Sequence, residues 1–308
     1  MIIPTYNRWP LVKEAINSVL KQSFSDFEVI VVDDGSTDNT REEIEAIKDP
    51  RIRYFYKENY GVSTARNLGL AKSTGQYICF LDSDDLWPEH YLQIMIGKLE
   101  KKTEYGAAYS ARTVLYSDGK SIKQCDPKRS KSGWITKNLF IHKRLAPVHT
   151  SGTCFLKNVL QGFSFDEALR NGQDTDAWLR LSTKTKFLFV PDVAFVNRRE
   201  HGISPRIWFS RENCNRILFL ERFYFRLGGD KIITKNQARR KFSHAYRSAG
   251  KTHYRMKNRT AAIFLYKRAI LYCPYDIRLY PDLLRALLLN KKGDNLPNWR
   301  MPDPLPMI

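Results

Sequence analysis

Tyr77-Ile78-Cys79-Phe80-Leu81-Asp82-Ser83-Asp84-Asp85 is a short apolar run that stops in three carboxylates within four residues. A run of that length reads as a strand buried on both faces, the kind found in parallel sheets covered by helices. In open sheets of this type ligands bind outside the carboxyl ends of the strands. Carboxylates crowded there repel one another and lose hydration unless a cation offsets them. Oxygen-only ligands suit Mg²⁺ or Mn²⁺, and Mg²⁺ commonly shares its shell with substrate phosphates. A metal–diphosphate site is therefore expected at the end of this strand. The plainer alternative is a solvated acidic turn ahead of a helix that Pro88 and Glu89 would open.

Upstream, the same grammar repeats. Met1-Ile2-Ile3 reads as a strand fragment, and Pro4-Thr5-Tyr6-Asn7 as the turn after it. Pro10 opens a helix whose apolar stripe is Leu11, Val12, Ala15, Ile16, Val19 and Leu20. Phe27-Glu28-Val29-Ile30-Val31-Val32 is a second buried strand ending in Asp33-Asp34-Gly35-Ser36-Thr37-Asp38, with Thr40 as a cap. Ile52–Tyr56 is a third strand, and Gly61-Val62-Ser63-Thr64-Ala65-Arg66-Asn67 enters a helix that Ser63 could cap. Strand and helix thus alternate through the first hundred residues, which predicts a doubly wound, mostly parallel α/β sheet. Three polar clusters, Pro4–Asn7, Asp33–Asp38 and Asp82–Asp85, then converge on one sheet edge.

Downstream the pattern loosens. Ala107–Tyr109, Arg112–Tyr116, Ser151–Leu156 and Phe187–Val190 read as strands, and a helix follows Asn171-Gly172-Gln173-Asp174, capped by Asp174 or Thr175. Beyond residue 205 the chain turns helical, with an aromatic-rich helix over Trp208–Leu227. Tyr246, Ala249, Gly250, His253, Ala262, Tyr266, Ala269 and Pro274 have the spacing of one tetratricopeptide-type hairpin over 243–276. One such unit must pack on neighbouring helices, expected at Asp282–Leu289. The Pro-rich end, Leu296–Ile308, is expected to be extended or disordered. The domain reading is thus 1–205, a catalytic α/β domain; 206–295, a basic helical region; and 296–308, a tail.

Charge divides the chain in the same place. Residues 1–197 carry 27 Lys and Arg against 24 Asp and Glu, whereas residues 198–308 carry 24 against 8, within a net charge of +19. The rear half is expected to seek an anionic partner, such as a phospholipid surface or an acidic polymer. No apolar run approaches the roughly 20 residues that span a bilayer, and no secretory signal is read in residues that already form strand and turn. Five scattered cysteines without zinc or redox spacing suggest reduced thiols in the cytoplasm.

Ile2-Ile3-Pro4-Thr5-Tyr6-Asn7, Val31-Val32-Asp33-Asp34-Gly35-Ser36-Thr37-Asp38, Gly61–Asn67, Leu81–Asp85 and Gln173-Asp174, in that order, closely resemble the motifs of the family-two inverting glycosyltransferases. The resemblance covers about residues 1–205 and implies the GT-A fold, a nucleotide-diphospho-sugar donor, usually UDP-linked, and Mn²⁺ or Mg²⁺. By the same resemblance Pro4, Thr5, Tyr6 and Asn7 line the nucleoside pocket and Asp34 bonds the base. Arg66 contacts the donor, and Asp82 and Asp84 take the Asp-x-Asp roles at ribose and metal. Asp84 or Asp85 is the direct metal ligand, and His201 helps at the metal or diphosphate. Asp174 falls at the catalytic base. The family's usual Glu-Asp is here Gln173-Asp174, and its common tyrosine before Arg198 is Asn197.

The chemistry agrees. An inverting transfer needs one carboxylate to deprotonate an acceptor hydroxyl and a cation to stabilise the departing diphosphate. The expected function is transfer from a UDP-sugar to a glycan or lipid-linked acceptor in cell-surface polysaccharide synthesis, at the cytoplasmic face of an anionic membrane. The main rival is a non-catalytic sugar-nucleotide-binding scaffold that uses its basic helices. A nucleic-acid binder is disfavoured because no recognised module is present, and a glycosidase because its two carboxylates would not need the acidic triplet.

Overall fold

Ile2, Ile3, Val29, Ile30, Val31 and Val32 have no exposed surface, the condition a strand meets when helices cover both its faces. They build β1 (Ile2–Thr5) and, after α1 (Leu11–Leu20), β2 (Val29–Asp33). α1 buries Val12, Ala15, Ile16 and Val19, the apolar stripe of the sequence. Next come α2 (Thr40–Glu45), β3 (Ile52–Tyr56), α3 (Val62–Lys72), β4 (Tyr77–Cys79), β5 (Asp85–Leu86) and α4 (Tyr91–Glu100). The computed structural model describes residues 1–124, 130–141, 148–169, 171–199 and 206–288, with the side chains of 124, 199 and 206–214 excepted. These residues fall into two compact units, Met1–Ile135 with Ala146–Gly202, and Thr136–Leu145 with Ile203–Ile308.

The first unit is α/β. β1, β2 and β3 are parallel neighbours in that order, and a parallel bridge from Ile2 to Phe80 sets the organising strand beside β1. α3 packs on β1 so closely that a Cβ on Gly69 would lie 2.4 Å from the Ile2 Cγ2 methyl. Beyond it lies a mixed sheet. β6 (Tyr105–Tyr116) carries the β7 (Ser121–Gln124) hairpin, and α5 (Thr136–Ile141) belongs to the second unit. β8 (Thr153–Leu156), α6 (Gln173–Leu181) and β9 (Lys186–Arg199) complete the first, in the strand order β4-β8-β6-β9-β5. β6 and β9 run parallel, whereas β4–β8, β6–β8 and β5–β9 are antiparallel.

Several local expectations shift. The two short strands expected at 107–116 are one, β6, because β9 accompanies it along its length and a register shift at Ser110/Ala111 absorbs the irregularity. β9 runs nine residues past Val190, through Pro191, to reach Arg199. Gly61, at φ 100°, takes the cap position expected of Ser63, which is buried within α3. Gly172, at φ 76°, precedes α6, so Asp174 and Thr175 sit in its first turn rather than at its cap.

The second unit is helical: α5, α7 (Arg206–Arg226), α8 (Lys235–Arg255), α9 (Arg259–Tyr272) and α10 (Leu279–Leu287). Thr234 and Gln237 form a reciprocal capping box on α8, and the Asn258 side chain caps α9. Phe140, Phe223, Tyr224, Phe242 and Tyr272 stack into its core. The α8–α9 crossing is tight, since a Cβ on Gly250 would lie 2.8 Å from the Tyr266 ring. Among the described residues no helix is long and apolar enough to cross a membrane.

Candidate active site

The carboxyl ends of β1 and β2 are laced together by short polar side chains. Asn7, in the left-handed region at φ 47°, a conformation Asn tolerates, accepts the Thr37 backbone N–H at 2.7 Å on its Oδ1. Its own backbone N–H donates to Ser36 Oγ at 2.9 Å. Pro4 and Thr5 are buried beneath this turn, and Tyr6 is exposed. Asp33 is wholly buried and accepts from the Tyr54 hydroxyl at 2.7 Å and the Ser36 N–H at 2.8 Å; burial and this bond push the phenol well above its ordinary range.

Asp34, expected at the base, has a structural task. Its carboxylate accepts the Gly61 N–H at 2.8 Å and the Tyr60 N–H at 3.2 Å, and it pairs with Lys57. It thereby pins the loop that starts α3. A carboxylate offers about four lone-pair directions, and these three contacts leave one.

The acidic triplet divides its labour. Asp82 Oδ1 accepts from an Arg66 terminal nitrogen at 2.7 Å, and its backbone N–H donates to Ser151 Oγ at 3.1 Å. Asp84 is half-exposed and meets Arg8. Asp85, expected beside Asp84 as a metal ligand, faces the protein instead. It is 3% exposed, and its oxygens accept from Ser151 Oγ at 2.5 Å and Asn197 Nδ2 at 2.9 Å. Burial and the charges of Asp82 and Asp84 push its carboxyl up to about 7, against the pull of those two bonds. Asp82 is also raised, by burial and then by Asp84 and Asp174, with Arg66 opposing. Asp174 therefore stands close enough for its field to reach the triplet.

Among the described residues of the unit, Arg66 has the most buried polar atoms without a partner. It is 4% exposed and lies over the Phe165 ring, yet its Nε and one terminal nitrogen have no partner among the described residues. Thr5 Oγ1, Ser63 Oγ and Gln173 Oε1 are likewise buried without one. Asn67, next to Arg66, is structural: it donates to the Phe165 carbonyl at 3.0 Å and accepts the Phe165 N–H at 2.7 Å. Asp174 is half-buried in the first turn of α6, whereas Asp176 is buried and takes the Arg180 Nε at 2.8 Å.

Two supports were not anticipated from the sequence. Ser151 links Asp82 to Asp85, and Asn197 holds Asp85 from β9. Arg198 adds a clamp: its Nε donates to the Asp84 carbonyl at 2.6 Å, and its other nitrogens reach Glu14 and the Leu11 carbonyl on α1. The one available signal was Asn197 standing where the resembling family carries tyrosine. His201 lies outside the described residues.

The donor set suits a hard divalent cation. Among the described residues it is all oxygen, and the Asp82 and Asp85 carboxyls are raised, by burial first and then by neighbouring carboxylate charge. Among the described residues no group of three or more His, Cys, Asp or Glu side chains is placed to hold a metal ion by itself. The missing ligands would come from a diphosphate, the habit of Mg²⁺.

Comparison with known proteins places this geometry. The sequence model of glycosyl transferase family 2 matches residues 1–162. An uncharacterized glycosyltransferase of Rickettsia felis is 35% identical over 186 residues, 60% of this chain and 30% of the relative. The GalNAc(5)-diNAcBac-PP-undecaprenol beta-1,3-glucosyltransferase of Campylobacter jejuni is 31% identical over 193 residues, 61% of this chain and 60% of that enzyme. The chain thus spans between about a third and three fifths of these relatives' lengths. In fold it is similar to S. aureus TarS 1-349 in complex with UDP, at TM-score 0.58 and 17% identity over 98% of this chain and 93% of that one. It is also similar to the mannosyltransferase PcManGT of Pyrobaculum calidifontis in complex with GDP-Man and Mn²⁺, at TM-score 0.57 and 19% identity over 93% and 84%.

Proposed function

The chain belongs to glycosyl transferase family 2, and on that footing we propose that it is a metal-dependent, inverting glycosyltransferase. It moves a hexosyl or N-acetylhexosaminyl group from a UDP-sugar to a hydroxyl of a glycan or lipid-linked acceptor in cell-surface polysaccharide synthesis. Arg66 carries the reading: a buried guanidinium bonded to Asp82, the first carboxylate of the triplet, with two nitrogens lacking an acceptor among the described residues. Buried donors left unmatched are costly, and a diphosphate supplies acceptors of matching charge. The nucleotide complexes of the two fold neighbours support the donor class. The name of the Campylobacter relative supports an undecaprenol-linked acceptor.

In this reading Pro4, Thr5, Tyr6 and Asn7 wall the nucleoside pocket, and Asp34 offers its remaining lone pair to the base. Asp82 faces the ribose, Arg66 takes the diphosphate, and Asp84 holds the cation with His201 as a further ligand. Asp85 stays behind them, fixed by Ser151 and Asn197. Mn²⁺ or Mg²⁺, when bound, serves as the Lewis acid that stabilises the leaving diphosphate. Asp174 takes the proton of the acceptor hydroxyl while that oxygen bonds to the anomeric carbon from the face opposite the departing UDP, which inverts the centre. Asp176 is a poor substitute, because Arg180 already occupies it. The domain reading extends to a catalytic unit followed by a basic helical unit with one tetratricopeptide-type hairpin. We place the protein at the cytoplasmic face of the membrane, where its basic residues meet anionic lipid.

The test is nucleoside-diphosphate release by the purified chain from a panel of UDP- and GDP-sugars, in Mn²⁺ and in EDTA. Metal-dependent release from a UDP-sugar is expected. Asp84→Asn should weaken UDP binding in Mn²⁺ and little in EDTA. Tight donor binding with no release from any donor, with acceptor glycans supplied, would leave the non-catalytic scaffold as the function.

A further inference from the structure

The second unit contains an open groove of about 1040 Å³ between the first half of α8 and the turn that joins α9 to α10. One wall is a single helical face. Lys235, Arg239, Ser243 and Arg247 recur every fourth residue along it, with Arg240 beside them. At 1.5 Å per residue this row is about 18 Å long. The other wall is the 272–278 segment, which contributes Arg278.

The cations are held in different ways. Arg278 pairs with both oxygens of Asp276 at 2.7 and 2.8 Å, and Arg247 Nε donates to Asp282 at 2.7 Å. Arg239 Nε donates to the Tyr272 carbonyl at 3.0 Å, which fixes its guanidinium across the groove floor. Lys235 and Arg240 are exposed and meet no carboxylate among the described residues. Asp276 is the one acidic side chain lining the groove among those residues, set against five Lys and Arg. On the rim, the Tyr275 ring is 94% exposed and Ile277 is 78% exposed.

We propose that this groove binds an anionic glycan, a sugar chain bearing phosphate or carboxylate groups, and holds it as the growing acceptor. The proposal rests on the reading of the chain as a glycosyltransferase. A row of cations along a groove matches a linear polyanion, with guanidinium forks suited to phosphate and carboxylate. Concavity argues against a flat lipid surface, which would meet only the rim. Tyr275 offers a ring with an apolar face and a polar tip, suited to a sugar that has both kinds of surface.

The experiment measures binding of the full chain to linear polyphosphate, to a polyuronate such as alginate, to uncharged dextran, and to phosphatidylglycerol vesicles. Both polyanions should bind, dextran should not, and salt should weaken the binding because exposed charges are screened. Lys235→Gln/Arg240→Gln removes two exposed cations without stripping a partner from any carboxylate. It should lose about tenfold or more in polyanion affinity, equivalent to about 1.4 kcal/mol, while UDP binding and donor cleavage stay unchanged. Lys231→Gln/Lys267→Gln, outside the groove, should leave polyanion binding nearly intact. Equal losses in the two pairs would overturn the site in favour of diffuse charge. Vesicle binding that depends on Lys235 and Arg240, without polyanion binding, would overturn it in favour of lipid. Normal donor cleavage with no polyanion binding defeats this inference alone. Groove binding without cleavage of any donor defeats the enzymatic reading and with it the acceptor role, leaving only an anion site.

Discussion

In the proposed reaction Arg66 and Asp174 separate binding from chemistry at the level of single residues. Arg66 has buried nitrogens without acceptors, so its contribution appears when an anion arrives. Hydrogen bonds to charged groups contribute about 1.5–3 kcal/mol each. Arg66→Met should therefore weaken UDP affinity by about 10- to 150-fold in a calorimetric titration, and Arg66→Lys should recover part of it. Unchanged affinity in Arg66→Met would remove the diphosphate from this side chain. Asp174→Asn should behave oppositely: UDP binds as before, while kcat for transfer falls by about 10²–10⁴, the range for a lost general base. Full turnover in that variant would place the base elsewhere. Arg66 and Asp174 could be singled out in the sequence because each sits in a local motif, and their roles await these two tests. Ser151 could not be, for its bond to Asp85 joins residues 66 apart, and the Asn197 bond to Asp85 joins residues 112 apart. A polar residue on a strand announces no partner until the strand pairing is known.

Among the elements, α3 against β1 is the contact the site depends on most. It brings Arg66 and Ser63 over the end of the strand that carries Thr5, and Gly69 makes the approach possible. Gly→Ala within a helix ordinarily stabilises by about 1 kcal/mol. Here the new methyl would lie 2.4 Å from Ile2, and overpacking a well-filled interior costs about 1–3 kcal/mol. Gly69→Ala should thus lower the melting temperature and weaken UDP binding together. A raised melting temperature would show that α3 can retreat without consequence. The elements themselves were largely readable, since apolar periodicity fixes β1 to β4 and the helices between them. β6 and β9 were read too short because Pro191 and the polar stretch around Arg112 look like interruptions. The structure bridges them with a register shift that no local pattern signals.

Over the whole molecule, pH acts through buried groups in both units, Asp85 in the first and His253 in the second. His253 has no exposed surface, and burial holds its imidazole down at about 4, below the ordinary 6.5. The unfolded chain takes up a proton between pH 6.5 and 4 that the folded chain refuses. The share of folding stability that depends on this imidazole is therefore full above 6.5 and falls as the pH drops through that window, by at most about 1.4 kcal/mol per pH unit. Lys241, held down at about 6 by burial and then by Arg216, works in the same direction between pH 6 and 10.5. Asp85, raised to about 7, pulls the other way over the His253 window, so the test is a difference. Between pH 4 and 6.5 the melting temperature of His253→Gln should rise less, or fall more, with pH than that of the parent, and an unaltered slope would exonerate the imidazole. The clamp that Asn197 and Arg198 place behind the acidic turn has a consequence for synthesis. A ribosome that has delivered residues 1–162 has delivered every carboxylate of the triplet and neither clamp. β9 must then thread parallel to β6 across some seventy intervening residues, the slow kind of closure that distant pairings impose. Until it does, the nascent chain holds the triplet without the architecture that aims it, and a chain cut short of Asn197 would carry the family's signature without a working site.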